Sequence, residues 1–135
     1  MTRPRVFSFD DPGFQRALAH HGGAPILFHR VADARSGAAN WIDLVIVPRG
    51  ADIGLHTHGD GDEEVYVILA GRGRMTLDAH AFEVGPGHVV VNRPGGTHSL
   101  VNVGEDDLRL VVVDVRVPPP GGPASPPTPQ QQEEP

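Results

Sequence analysis

His56 and His58, in the stretch HTHGDGDEEVYVILAG of residues 56–71, stand one residue apart ahead of a glycine-acid loop and a strand-like segment. In extended chain, side chains two residues apart point to the same side, so these imidazoles can aim at one point, as metal ligands do. A histidine pair of this kind is also common on polar strand surfaces, so a third and a fourth donor are needed. The chain has no cysteine, which excludes thiol nucleophiles and thiolate zinc sites and leaves only nitrogen and oxygen donors. The nearest carboxylates are Asp60, Asp62, Glu63 and Glu64. Strand parity groups Glu64 with Tyr66 and Ile68, and Glu63 with Val65, Val67 and Leu69, without saying which set faces inward.

The elements that must position these residues are short strands. Glycine and proline are frequent, with 17 and 14 copies in 135 residues, a length that suits one domain with its own core. From Pro25 onward the segments PILFHRV, NWIDLVIVP, EEVYVILA, RMTLD, AFEVG, HVVVN, HSLVN and LRLVVVDVRV are β-branched and bounded by turn residues. This pattern predicts an all-β sandwich or jelly-roll barrel of about eight strands. LVIV (44–47) and LRLVVVDV (108–115) are apolar on both faces, so a second sheet or another subunit must cover them, which predicts a homodimer.

Before the barrel, DDPGFQRALAHHGG has an acid ahead of Pro12 and Gly22 after the last apolar residue, predicting a helix over residues 12–21. His20 and His21 then cap its C-terminus, complementing the dipole. His29, His80 and His88 fit no ligand spacing and read as structural. The expected organisation is an N-terminal segment (1–24), a barrel (25–117) and a disordered proline-rich tail (118–135).

Composition narrows the function. The net charge is −6 and lysine is absent, which argues against a nucleic-acid partner. No run of 18 apolar residues and no signal-peptide pattern is present, so a soluble, cytoplasmic protein without a membrane partner is expected.

Spacing from fixed glycines adds a family resemblance. Gly50 precedes His56 by five intervening residues and Glu64 precedes Gly71 by six, which resembles the first motif of the cupin family. The segment GHVVVNRPGGTHSLVN resembles the second, with Gly87, Gly95, His98 and Asn102 in place. Two departures stand out. Five residues rather than three or four separate His58 from Glu64, and Arg93 occupies a proline position, with Pro94 one residue later. The resemblance runs from about residue 40 to 116 and implies a double-stranded β-helix with His56, His58, Glu64 and His98 as metal ligands. Glu64 is then the metal carboxylate and Glu63 a solvated neighbour.

Three imidazoles and one carboxylate suit one divalent transition metal per chain: Fe, Mn, Zn, Ni or Co. The resemblance implies a metal-dependent enzyme acting on a polar or carboxylate-bearing small molecule, of oxygenase, isomerase, cyclase or decarboxylase type. The alternative is a cupin that binds a small molecule without turnover. Tyr66 shares parity with Glu64 and is the candidate catalytic side chain, as a proton donor or orienting group. Asn102 reads as a turn former or a partner of the site, and Trp41 as core or dimer interface, its parity with Asp43 leaving a cavity role open.

Overall fold

The computed structural model describes residues 5–118. Ten strands follow in chain order: β1 (Gln15–Ala17), β2 (Ile26–Asp33), β3 (Trp41–Val47), β4 (Asp52–Thr57), β5 (Asp62–Ala70), β6 (Gly73–Leu77), β7 (His80–Val84), β8 (Val89–Asn92), β9 (Thr97–Asn102) and β10 (Leu108–Arg116). They form a six-stranded sheet, β1-β2-β3-β10-β5-β8, and a four-stranded sheet, β4-β9-β6-β7. Every named pairing is antiparallel, giving the two-layered jelly roll that the strand pattern predicts. No described helix is long and apolar enough to cross a membrane. The proline-rich tail, apart from Pro118, lies outside the described residues.

The inner faces follow from the two-residue period. On β5, Glu64, Tyr66 and Ile68 are buried while Leu69 is exposed, so the parity left open by the sequence resolves in favour of the Glu64 set. Ile68, Met75, Leu100, Leu108 and Leu110 have essentially no exposed surface and fill the space between the sheets. Each such side chain contributes about 1.5–3 kcal/mol by leaving water, which drives the closure of the layers.

The helix predicted over residues 12–21 is not formed. Gln15, Arg16 and Ala17 instead pair with Phe28, Leu27 and Ile26, adding an edge strand to the larger sheet. His20 and His21 adopt left-handed backbone, with φ of 52° and 62°, which no helix tolerates. An isolated ten-residue helix is marginal in water, and pairing with a pre-existing sheet edge outweighs it. The carbonyl of Ala19 then accepts hydrogen bonds from the Gly22 and Gly54 amides, tying this segment to β4. Gly54 permits the approach, because a Cβ there would collide with the His20 carbonyl oxygen.

The outer face of β3 has its own cover. Leu44 and Ile46 are buried beside His29 and Arg109, their register partners on β2 and β10. Phe7 and Phe14 pack on the His29 ring, and Arg109 lies over Phe9, so the chain's own N-terminal segment crosses that face. The doubly apolar pattern of LVIV therefore does not require a second subunit.

Candidate metal centre

His56 sits on β4 and pairs directly with His98 on β9, and His58 follows just beyond the end of β4. Glu64 projects inward from β5 of the other sheet. These four side chains, named from sequence spacing, come together: one donor atom from each lies within 4.8 Å of all the others. Glu64 Oε1 is 3.3 Å from His58 Nε2 and 3.3 Å from His98 Nε2, while the Nε2 atoms of His56 and His58 are 3.0 Å apart. Two donors about 2.1 Å from one ion are about 3.0 Å apart at a right angle and about 3.4 Å apart at the tetrahedral angle. The observed separations match a shell of cis ligands.

Tautomers strengthen the fit. The Nδ1–H of His56 donates to the Gly54 carbonyl at 2.7 Å, and the Nδ1–H of His58 points to Asp62 Oδ2 at 3.2 Å. A carbonyl and a carboxylate can only accept, so in the neutral form of each ring Nε2 carries a lone pair. Two lone pairs then face each other across 3.0 Å, an arrangement that a cation between them relieves. Among the described residues, His98, 1% exposed, finds no hydrogen-bond partner for either ring nitrogen. A buried polar atom without a partner is costly, and a metal bond would satisfy its Nε2. Burial lowers the pKa of His56 to about 4 against a smaller opposing effect of the Gly54 bond, so this imidazole is neutral and able to ligate at pH 7. The donor set fits a divalent transition metal.

Around these four stand groups that sequence spacing did not assign. His20, expected as a helix cap, stacks on His56 with ring centroids 3.5 Å apart and planes inclined by 9°. Its pKa is lowered, chiefly by burial. Nothing in the spacing of HHGG marks this role, because the left-handed turn that turns the ring inward depends on pairing with β2 and β4. Asp62 and Asp114 form a second layer behind His58. Asp114 has no exposed surface, and burial together with its hydrogen bond to Asp62 pushes its pKa up to about 7. The same neighbour, Asp114, holds Asp62 below the usual carboxylate range. Asn40 Nδ2 donates to Asp114 Oδ1 at 2.8 Å. The acid within LRLVVVDV was a visible signal, since a carboxylate in a buried strand must have partners.

Tyr66 is 2% exposed, its ring edge-on to His98 at 5.6 Å. Burial, and then the neighbouring Glu64 charge, push its phenol well above the ordinary range, so it stays protonated. A cavity of about 300 Å³ runs from Glu64, Tyr66 and His20 to Arg30 and Trp41. Asn102 stands apart from the donors: its Nδ2 donates to the carbonyls of Val47 and Asp106, and its Oδ1 accepts from the Gly104 amide. It clamps a loop. His29 packs with aromatic residues, and His88 Nδ1 accepts from the Gly85 amide; neither joins the four donors.

The cupin domain model matches residues 43–114. Among curated proteins, an uncharacterized protein of Methanocaldococcus jannaschii is 42% identical over 66 residues, covering 49% of this chain and 52% of that protein. An oxalate-binding protein of Thermotoga maritima is 34% identical over 67 residues, covering 50% of this chain and 54% of its own. The chain thus spans about half the length of the curated relatives it matches. Among solved structures, a predicted oxalate decarboxylase of Thermotoga maritima superimposes with a TM-score of 0.77 at 24% identity, over 83% of this chain and 99% of that one. At that identity the likeness is one of fold.

Proposed function

From a chain that belongs to the cupin family, we propose a metal-dependent enzyme that acts on a small carboxylate-bearing molecule chelated to one divalent ion of Fe, Mn, Zn, Ni or Co. His56, His58, Glu64 and His98 hold the ion. The observation that carries the reading is the convergence of four donor atoms within 4.8 Å of one another, with the Nε2 atoms of His56 and His58 3.0 Å apart. When bound, the ion supplies Lewis acidity or, for Fe and Mn, redox chemistry.

The chain's own residues do the rest. Asp62 and the Gly54 carbonyl fix the ring orientations of His58 and His56. Tyr66, which lines the cavity and whose phenol burial keeps protonated, is the candidate to donate to an oxyanion of the bound molecule. Val45, Ile53 and Val112 give the cavity an apolar lining beside the bound head. The partner is a small molecule, in a protein that works as a homodimer in the cytoplasm. Exposed Val89 and Val91 on edge strand β8 are the surface on which two copies would meet.

A second reading, binding without turnover, is favoured by the Thermotoga maritima relative that carries the name oxalate-binding protein. The two separate on tag-free protein loaded in turn with Mn(II), Fe(II), Zn(II), Ni(II) and Co(II). Product formation from oxalate or from 2-oxo and 2-hydroxy acids supports the enzyme. Thermal stabilisation by an acid that is recovered unchanged with every metal supports the binder.

A further inference from the structure

The cavity beside Glu64 is much longer than a two-carbon diacid needs. Arg30, Asp43, Val112 and Tyr66 form one cross-strand row through β2, β3, β10 and β5. Three strand spacings make that row about 14 Å long. At one end Glu64 and Tyr66 border the cavity; at the other stand Arg30, Trp41 and Phe28. The guanidinium of Arg30 lies over the Trp41 ring at 5.2 Å and over the Phe28 ring at 5.9 Å. Between the ends the wall is Val45, Ile53 and Val112.

The polar groups at the far end are set in an unusual way. Asp43 Oδ1 and Oδ2 accept from Nε and Nη2 of Arg30 at 2.8 and 2.9 Å, a bidentate pair. Asp43 is buried at 7%, whereas the Arg30 side chain is 46% exposed, so the pair marks a mouth. Nη1 makes no hydrogen bond among the described residues and is left as a donor, while Asp43 cancels the charge. At the other end an ion of charge +2 beside Glu64, the carboxylate that lines the cavity there, would attract an anionic head.

We infer that the cavity takes a monoanionic 2-hydroxy or 2-oxo acid with a flat apolar body, its chelating head beside Glu64 and a neutral hydrogen-bond acceptor on its tail meeting Arg30. Arg30 is then a specificity-determining residue, and Trp41 and Phe28 form the wall against which the tail lies. The inference rests on the metal reading above and narrows its substrate class to acids longer than oxalate.

The test uses the full chain loaded with Co(II), titrated with lactate, 3-phenyllactate and 3-(4-hydroxyphenyl)lactate. The visible Co(II) bands report the head, and the emission of Trp41, the single tryptophan, reports the tail. Calorimetry gives the affinities. Burying a phenyl ring is expected to tighten binding at least about tenfold over lactate, with Trp41 emission changing only for the aryl acids. The 4-hydroxyl adds about threefold through Arg30. That increment disappears in Arg30→Met/Asp43→Asn, which removes both charges without orphaning either, and in Arg30→Lys, which keeps the charge but not the fork. Equal affinities for lactate and phenyllactate, with the Co(II) bands shifted by both, overturn this inference and leave the metal reading standing. Bands unmoved by every acid overturn both. A 4-hydroxyl increment that persists in both variants overturns the role of Arg30.

Discussion

Replacing Asp114 by Asn isolates the proton held behind His58. The carboxyl has an ordinary value of 3.8 and is raised to about 7 in the fold, by burial first and by Asp62 second. Well below pH 4 it is protonated whether the chain is folded or not. As pH climbs through that range the unfolded chain releases its proton while the folded one keeps it, so the unfolded state binds fewer protons and stability falls until about pH 7. At about 1.4 kcal/mol per pKa unit the full span is about 4 kcal/mol. Asp62 moves in the opposite sense, its stabilisation being lost only as pH drops below the ordinary carboxylate value, so it returns part of the sum at the acid end. In Asp114→Asn the amide can still donate to Asp62 and accept from Asn40, but it does not titrate. The stability of the variant relative to the wild type is therefore expected to rise by about 2 to 4 kcal/mol between pH 4 and pH 8. Urea unfolding of chelator-treated protein at several pH values measures this. Parallel stability curves for the two proteins across that range would refute the shared-proton arrangement.

Other substitutions probe separate links. Asn102→Ala strips partners from the carbonyls of Val47 and Asp106 and from the Gly104 amide, and should cost about 2 to 4 kcal/mol in urea unfolding while metal content stays the same. Loss of metal there would place Asn102 in the site after all. Gly71→Ala forces a side chain onto a φ of 86° and brings its Cβ to 2.5 Å from the Asp107 carbonyl oxygen. Destabilisation of about 2 kcal/mol or more is expected, and an unchanged melting temperature contradicts the turn geometry. His20→Ala removes the ring stacked on His56 and should speed metal loss to a competing chelator by about two- to tenfold at unchanged stoichiometry. Identical release rates would leave that stack without a role.

The sequence made some of this legible for definite physical reasons. A β-strand has a period of two, so the buried set on β5 had only two possible memberships, and the count from Glu64 to Gly71 chose between them. The extra residue in GDGDE is absorbed before β5 begins at Asp62, so the inward register of Glu64 is kept. His98 lies across from His56 because β4 and β9 are neighbours, a long-range pairing that the second glycine-rich motif indicated and strand propensity did not. The N-terminal segment misled because capping signals are local, whereas the left-handed turn at His20 and His21 is imposed by distant strands. Arg30 was invisible for a similar reason: only the register of β2 on β3 sets it against Asp43. Asp43 and Asp114, buried acids inside apolar runs, were the signals that could have pointed to both pairings.

The central claim is that four side chains from two sheets hold one ion. Elemental analysis of the full chain, purified without a metal-binding tag, tests it in the wild type and in His98→Ala. About one equivalent of a divalent transition metal in the wild type and a sharp drop in the variant are the expected results, since the substitution removes one of four donors. Full metal content in folded His98→Ala would contradict the account.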